Sequence, residues 1–353
     1  MKATDILATC ILVLVSKKLV WYFLERRVFN SEPFQTEKTE NVTIKYSCST
    51  ECLNKHIEKP RKKLPNIKPN MVENLLRSKG LSKLQIFRPK IKKISESKWL
   101  EKARILVESY WTSSNVSLKI AKSNANQTQI FNYHYIWYGC NRNFSVLHYL
   151  SLLSVKKFKT KSSKVFFHTD CEPEENDYWK EIKNGFSQDL IILKIKPVTS
   201  IWGNDLKSPA HQADIYRLLI LIKFGGIYID NDIVLLNPLD DLLEKSISKK
   251  IPILGEESNV SLANGFIISV PGATILLRWL VEYKKYKVLE GMKVEPFSVM
   301  KIWQLSFWYP DEVEVVKNKM IRPDWSEWHL LWHESIDWMG NYRVVLMKFR
   351  ILG

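Results

Sequence analysis

The chain has 353 residues, 45% of them hydrophobic, which allows one large domain with a sizeable core. Its net charge is +16, and residues 1–100 account for +12 of it, with 21 Lys/Arg against 9 Asp/Glu. No zinc-finger spacing or aromatic-basic RNA motif accompanies these basic residues, so the sequence predicts no nucleic-acid partner. We interpret the basic region as a solvated tether, with contact to an acidic glycan or a membrane surface as the alternative.

The N-terminus carries an apolar segment. Residues 6–15 form an uninterrupted apolar run, which suits a signal-peptide core better than a span of about 20 residues. The segment is long enough when it is counted through Leu24, but Lys17 and Lys18 then lie near its middle. We therefore predict a signal-anchor over residues 1–27, which would tie the chain to a membrane, and keep a cleaved signal peptide as the alternative.

Residues 28–129 form a basic, weakly patterned region that we interpret as a stem. Three prolines in residues 59–69 indicate an extended linker. Helical periodicity over residues 71–86 and 96–110 shows that the region is not wholly disordered. The alternative is a small helical domain that packs on the catalytic unit.

The cysteines and glycosylation sequons favour the lumen of the secretory pathway. Cys10 lies in the apolar run, and the other four cysteines could form two disulfides with three possible connectivities. Five Asn-x-Ser/Thr triplets are each weak alone but together favour a glycosylated protein. The cysteines are Cys48, Cys52, Cys140 and Cys171, and the sequons begin at Asn41, Asn115, Asn126, Asn143 and Asn259.

We predict that the catalytic domain covers residues 130–353 and begins with alternating strands and helices. An aromatic alternating run predicts a first strand at 131–138. Strand–helix–strand spacing of this kind indicates a mainly parallel, doubly wound α/β sheet that binds ligands at the carboxyl ends of its strands. The next elements are a helix at 145–158, a strand at 164–168, a helix at 174–184 and a strand at 189–195.

Residues 211–239 are the most informative stretch, and their pattern reads as helix, glycine turn, strand, acidic turn and strand. Ile215, Leu218, Leu219 and Ile222 repeat at the spacing of one buried helical face. A glycine pair then permits a turn. Two apolar strands follow at 227–229 and 233–236, with Asp230, Asn231 and Asp232 between them.

The acidic turn carries the predicted chemistry. Residues i and i+2 of an extended chain point the same way, so Asp230 and Asp232 could face one cation. Carboxylate oxygens suit Mn²⁺ or Mg²⁺, which can also hold a diphosphate. Asp214 and Arg217 share a face of the preceding helix, where Arg could pair with phosphate and Asp could accept bonds from sugar hydroxyls. The alternative is a simple polar turn.

Further strands are predicted at 251–256 and 263–270, followed by an amphipathic helix at 274–287. Glu256 and Glu257 are candidate contacts to the molecule that would accept a transferred sugar. Tryptophans crowd the C-terminal third, and we interpret most of them as core rather than as sugar platforms.

The string from the helix to the acidic turn resembles the DXD region of glycosyltransferase family 32, which contains α-1,4-galactosyl-, α-1,4-N-acetylglucosaminyl- and α-1,6-mannosyltransferases. Weaker resemblances lie in the strand ending Ile136–Trp137–Tyr138–Gly139, in HTDCEP at 168–173, and in LANGF at 262–266. The hallmark residues that match are Asp214, Arg217, Gly225, Gly226, Tyr228, Asp230 and Asp232.

This resemblance implies a GT-A-like nucleotide-sugar-binding fold and a retaining, metal-dependent transfer. It places Tyr138 against the nucleotide base, and Asn264 beside Gly265 on the sugar and acceptor side. Tyr228 belongs to the same donor-binding string. The resemblance also implies a uridine diphosphate sugar as the favoured donor, and a single-pass type II Golgi membrane protein with a lumenal catalytic domain.

The match breaks near the C-terminus. Family members carry a His that helps to hold metal and diphosphate, but this chain has Val345 at that place and Met347 where a Trp is usual. Val cannot ligate a metal. Three possibilities follow: His329 or His333 supplies the ligand, the two carboxylates and water suffice, or activity is weak or lost.

The leading hypothesis is therefore a glycosyltransferase that moves a hexose or N-acetylhexosamine from a nucleotide-sugar to a glycan or glycolipid hydroxyl. The rival is a catalytically silent family member that binds nucleotide-sugar or glycan, or scaffolds a partner enzyme. Glycoside hydrolysis ranks below both, because carboxylates two residues apart cannot flank a scissile bond at about 5–10 Å.

Overall fold

The structure, a computed structural model, describes residues 93–114, 131–258, 261–286, 297–316, 321–322 and 344–346. Its helices are α1 (Lys93–Ser113), α2 (Val146–Phe158), α3 (Asp177–Phe186), α4 (Pro209–Phe224), α5 (Asp240–Lys249), α6 (Thr274–Glu282) and α7 (Val299–Trp308). Its strands are β1 (Tyr133–Trp137), β2 (Val165–Thr169), β3 (Leu190–Lys194), β4 (Ser200–Ile201), β5 (Asn204–Asp205), β6 (Gly226–Ile229), β7 (Ile233–Leu235), β8 (Ile253–Ser258), β9 (Ser261–Ser269), β10 (Glu314–Val316), β11 (Ile321–Arg322) and β12 (Val344–Leu346).

A seven-stranded sheet with the order β10-β8-β9-β6-β1-β2-β3 forms the centre of the described domain. Strands β6, β1, β2 and β3 are parallel neighbours, and β9 runs antiparallel between β6 and β8. The chain builds outward from β1 to β3 and then returns to the other side of β1 with β6. The carboxyl ends of β1 and β6 therefore border a switch point, where sheets of this kind bind ligands. The predicted α/β fold with a mainly parallel central sheet is confirmed.

The predicted elements from the first strand to the acidic turn are confirmed within a few residues. The structure adds two helices that the sequence analysis did not assign, α5 and α7. Helix α5 buries only Leu242 and Ser246, so it lacks the long apolar periodicity that marks a helix in sequence.

Helix α4 is buried on all sides, although its sequence predicts one buried face. Every residue from Asp214 to Ile222 is buried. One side rests on the sheet, and α1 and α6 pack on the other. Trp111 of α1 donates its indole N–H to the carbonyl of Leu219, 3.0 Å away. The helix that carries Asp214 and Arg217 is thus an interior element, held from both sides.

Helix α1 confirms the helix predicted at 96–110, which the sequence analysis assigned to the stem. Its Ala103, Val107 and Trp111 are buried in the same core cluster as α4 and α6. This helix is therefore packed against the domain that holds the central sheet. The predicted helix at 71–86 lies outside the described residues.

Cys140 and Cys171 form a disulfide that joins the loops after β1 and β2, with their Cα atoms 5.0 Å apart. This bridge occurs in one of the three connectivities that the sequence left open. The other cysteines lie outside the described residues. Within the described ranges no helix is both long and apolar enough to cross a membrane. The N-terminal apolar segment lies outside those ranges.

Candidate functional site

The acidic turn follows β6 at the switch point and is fastened to the strands on both sides. The backbone N–H of Asp230 donates to the carbonyl of Gly265 on β9 at 2.7 Å. Asn231 donates its side-chain amide to the carbonyl of Ile136 on β1 at 2.7 Å. The middle residue of the motif therefore anchors the turn to β1. Asp230 and Asp232 on either side are partly exposed at the end of the sheet.

Two glycines bring the chain from α4 into β6. Gly225 and Gly226 have φ angles of 66° and 100°, which favour glycine. A Cβ atom at Gly226 would also meet the carbonyl oxygen of Asn132 at 2.6 Å. The glycine pair predicted from sequence is thus a tight connection that places α4 directly beside the strand leading to Asp230.

Asp214 and Arg217 lie beneath the acidic turn as a buried ion pair. Their side chains are 3% and 6% exposed, and Arg217 Nη2 is 3.1 Å from Asp214 Oδ1 and 3.6 Å from Asp230 Oδ1. The guanidinium lies over the ring of Tyr228 at 4.5 Å. Tyr228 donates its hydroxyl to Asp230 Oδ1 at 2.5 Å. One oxygen of Asp230 is therefore held by Tyr228 and Arg217.

Burial and these neighbours set the ionisation of the cluster. Burial raises the pKa of Asp214 above its ordinary value, and the positive charge of Arg217 opposes that shift. Burial works to lower the pKa of Arg217, but Tyr228, Asp230 and Asp214 together hold it above its usual range. Burial likewise raises the pKa of Tyr228. Arg217 thus stays charged and Tyr228 keeps its proton as a donor to Asp230.

Asn264 and Gly265 on β9 close the other side of the cluster. The amide of Asn264 donates to Asp214 Oδ1 at 2.9 Å and also bonds the hydroxyl of Ser298. A Cβ atom at Gly265 would stand 2.6 Å from Asp230 Oδ2, so a larger residue would collide with the carboxylate. Ser298, just before α7, was missed by the sequence analysis because no local pattern marks it.

The guanidinium of Arg217 contacts carboxylates and backbone carbonyls of the protein itself. Besides the two carboxylates, its guanidinium donates to the backbone carbonyls of Asn264 and, at 3.4 Å, Ala213. The predicted contact with donor phosphate remains a prediction. The structure places Arg217, Tyr228 and Gly265 around the carboxylate of Asp230, and these three neighbours fix its position.

Tyr138 follows β1 at the same end of the sheet. It is 8% exposed, and its ring centroid lies 6.4 Å from that of Tyr216 on α4. Arg142 donates to the carbonyl of Tyr138 at 2.7 Å, and Asp170 accepts from the N–H of Gly139 at 2.9 Å. The loop is therefore ordered by several contacts, and stacking of Tyr138 on a nucleotide base remains a prediction.

The strand that contains Val345 lies next to the acidic turn. Strand β12 pairs antiparallel with β7, and Val345 is opposite Val234, two residues after Asp232. The backbone register thus brings the position where the family has a His close to the predicted metal site. His329 and His333 lie outside the described residues.

The residues at the turn fit a hard divalent cation. Asp230 and Asp232 offer carboxylate oxygens, and Tyr228 and Arg217 fix one oxygen of Asp230 on the protein side. Among the described residues no group of three or more His, Cys, Asp or Glu side chains converges. Mg²⁺-like sites commonly add water and phosphate oxygens to one or two carboxylates.

Comparisons with known proteins agree with this geometry. Residues 81–249 match the family model described as a glycosyltransferase sugar-binding region containing a DXD motif. Glucan organizing enzyme 1 of Cryptococcus neoformans var. grubii is 34% identical over 177 residues, which cover 48% of this chain and 45% of that protein. The chain therefore spans less than half the length of this relative.

Several solved structures that are similar to this chain are those of glycosyltransferases. The PaToxG glycosyltransferase is 16% identical with a TM-score of 0.35, covering 62% of this chain and 80% of its own. Mouse xyloside xylosyltransferase 1 is 8% identical with a TM-score of 0.42, covering 61% and 96%. Galactosyltransferase LgtC with donor and acceptor sugar analogues is 12% identical with a TM-score of 0.34, covering 61% and 87%.

Proposed function

We propose that this chain, a glycosyltransferase with a DXD sugar-binding region, is a retaining, metal-dependent enzyme of the family 32 type. Its donor is a nucleotide-sugar, with uridine diphosphate favoured, and it transfers a hexose or N-acetylhexosamine to a glycan or glycolipid hydroxyl. The observation that carries the proposal is Asp230, whose carboxylate is held at the switch point by Tyr228 and Arg217 and opposed by a glycine at 265.

The site residues divide into two groups. Asp230 and Asp232 would hold Mn²⁺ or Mg²⁺, which when bound would offset the negative charge of the leaving diphosphate. Arg217 orients Asp230, and Asn264 with Asp214 forms the side of the site nearest the sugar.

The chain needs no nucleophile of its own for retention. In the proposed reaction the bond between the anomeric carbon and the diphosphate breaks, and the acceptor oxygen bonds that carbon on the same face. The acceptor's proton passes to the departing diphosphate oxygen. Asp214 is 3% exposed, with Oδ1 bonded to Arg217 and Asn264, so it is suited to positioning rather than attack.

We also propose a lumenal location on a Golgi membrane. The disulfide between Cys140 and Cys171 supports an oxidising compartment, as do the sequons. The N-terminal apolar segment would supply the type II anchor.

A second candidate is nucleotide binding without transfer, which Val345 favours. Its strand pairs with β7 directly after the acidic turn, and Val cannot act as a metal ligand. The two candidates share donor binding and differ only in turnover.

Calorimetry with uridine diphosphate, with and without Mn²⁺, tests the donor site. Replacing Asp230 and Asp232 together by Asn should abolish Mn²⁺-dependent binding, because the carboxylate charge is lost while the shape is kept. Asp205→Asn, on the exposed strand β5, is the control and should bind as the wild type does. Release of uridine diphosphate from its sugars then separates transfer from silent binding. If the folded wild-type protein binds neither uridine nor guanosine diphosphate, the proposal is wrong.

A further inference from the structure

A chain of three buried polar side chains lies between the sheet and α4. His134 on β1 contacts His168 on β2, with 3.1 Å between Nδ1 and Nε2. Nδ1 of His168 is 3.0 Å from the hydroxyl of Tyr216 on α4. All three side chains are at most 1% exposed. The donor-site residues described above do not include them.

The two ends of the chain lie at different places along α4. Nε2 of His134 lies beside the glycine turn that follows α4, 2.9 Å from where a Cβ atom of Gly226 would stand. At the other end, the hydroxyl of Tyr216, on α4 itself, bonds His168 of β2. The polar chain thus ties α4 to β2 at Tyr216 and places a side chain of β1 at the turn after the helix.

Both bonds of the chain form with both histidines neutral. One such arrangement has the Tyr216 hydroxyl donating to Nδ1 of His168, whose Nε2 donates to Nδ1 of His134. Neither ring needs a charge, which suits a site without solvent. Burial lowers the pKa of both rings, of His134 to about 3, in keeping with the neutral state.

We propose that His134, His168 and Tyr216 are positioning residues of the donor site, holding α4 in the orientation that places Asp214 and Arg217 beneath Asp230. Tyr216 lies between Asp214 and Arg217 in sequence but points to the sheet, while those two side chains contact Asn264 and Asp230. The ring of Tyr216 also lies 6.4 Å from that of Tyr138. The proposal rests on the proposed function, because it assigns these residues to the same donor site.

The matched test compares Tyr216→Phe with Tyr135→Phe. Tyr135 is equally buried and lies on the same strand as His134, and its hydroxyl bonds Ser151 at 3.1 Å in the core on the other face of the sheet. Each variant loses one buried hydroxyl, so both should lower the melting temperature by similar amounts. Only Tyr216→Phe should raise amide exchange across residues 209–217 and weaken Mn²⁺-dependent binding of uridine diphosphate, by at least about fivefold.

Nitrogen-15 spectra of histidine-labelled protein test the chain itself. Two histidines should stay neutral and should not titrate between about pH 5 and pH 8. Tyr216→Phe should shift the Nδ1 signal of His168, because that nitrogen loses its hydrogen-bond partner, and Tyr135→Phe should leave it in place. Equal effects of both variants on exchange and affinity, or an unchanged His168 signal in Tyr216→Phe, would overturn the proposal. If the wild type binds no nucleotide, the proposed function fails, while the exchange and nitrogen data still decide whether the chain holds α4.

Discussion

One added methyl group at Gly265 tests the donor site without removing any functional group. A Cβ atom there would stand 2.6 Å from Oδ2 of Asp230 and 3.1 Å from its Cγ. Ordinary contact begins near 3.4 Å, so the carboxylate must retreat by about 0.8 Å in Gly265→Ala. That shift also disturbs the 2.5 Å bond from the Tyr228 hydroxyl.

The expected loss follows from the tolerance of metal sites. Metal–ligand distances hold within about 0.2 Å, so a carboxylate moved by several times that distance no longer ligates well. Disturbing the support of a ligand costs about 10–100-fold in affinity, which is about 1.4–2.7 kcal/mol. We expect Mn²⁺-dependent binding of uridine diphosphate to weaken by that factor in Gly265→Ala. Overpacking should also lower the free energy of unfolding by about 1–3 kcal/mol.

Calorimetry measures the affinity, and urea unfolding establishes that the variant is folded at the temperature used. Gly185→Ala on α3 is the control, because its Cβ would meet only the flexible end of Lys156, at 3.2 Å. We expect that control to gain about 0.5–1 kcal/mol of stability and to bind nucleotide unchanged. A folded Gly265→Ala protein that binds the nucleotide as tightly as the wild type would refute the placement of Asp230 in the metal site.

Three further predictions concern stability. Burial holds the pKa of His134 at about 3, against about 6.5 in the unfolded chain. The stability it contributes is therefore complete above pH 6.5 and is lost as the pH falls, by about 2 kcal/mol at pH 5. The free energy of unfolding, measured in urea, should differ less between pH 7.5 and pH 5 in His134→Gln than in the wild type. Reduction of the bridge between Cys140 and Cys171, 31 residues apart, should cost about 3–4 kcal/mol. A melting temperature unchanged by reductant would contradict this. Asn176→Ala removes the cap that accepts from the N–H of Trp179 at 3.0 Å. It should cost about 1 kcal/mol and leave nucleotide binding intact.

The elements around the acidic turn could be predicted from sequence because their signals are local. The glycine pair at 225 and 226 needs positive φ angles whatever packs nearby, and the two runs on either side of Asp230 and Asp232 are short, apolar and rich in β-branched residues, as buried strands are. Repeated strand–helix spacing then restricts the connections to right-handed crossovers, which predicts a mainly parallel sheet. The fold class and the place of the acidic turn at a strand end followed from these features.

Other features were beyond a local pattern because they join distant segments. Trp111 bonds a carbonyl 108 residues away, and this contact makes a predicted stem helix part of the core. Ser298 reaches Asn264 from 34 residues further along the chain, and nothing around it in sequence marks it as a site residue. Helix α4 was predicted to have one buried face, since periodicity does not show that α1 and α6 cover the other.

The sequence by itself determined the chemistry available to this protein: paired carboxylates at a strand end, an Asp and an Arg on the preceding helix, and glycines where the backbone must turn. The tertiary structure decided how those groups are used. It turned Arg217 toward Asp214 and Asp230, selected Cys171 as the partner of Cys140, and joined His134 to Tyr216 through His168. The physical reason is that backbone preferences and side-chain period act between near neighbours. Ion pairing, disulfide formation and buried hydrogen bonds instead depend on which segments the packed core brings together.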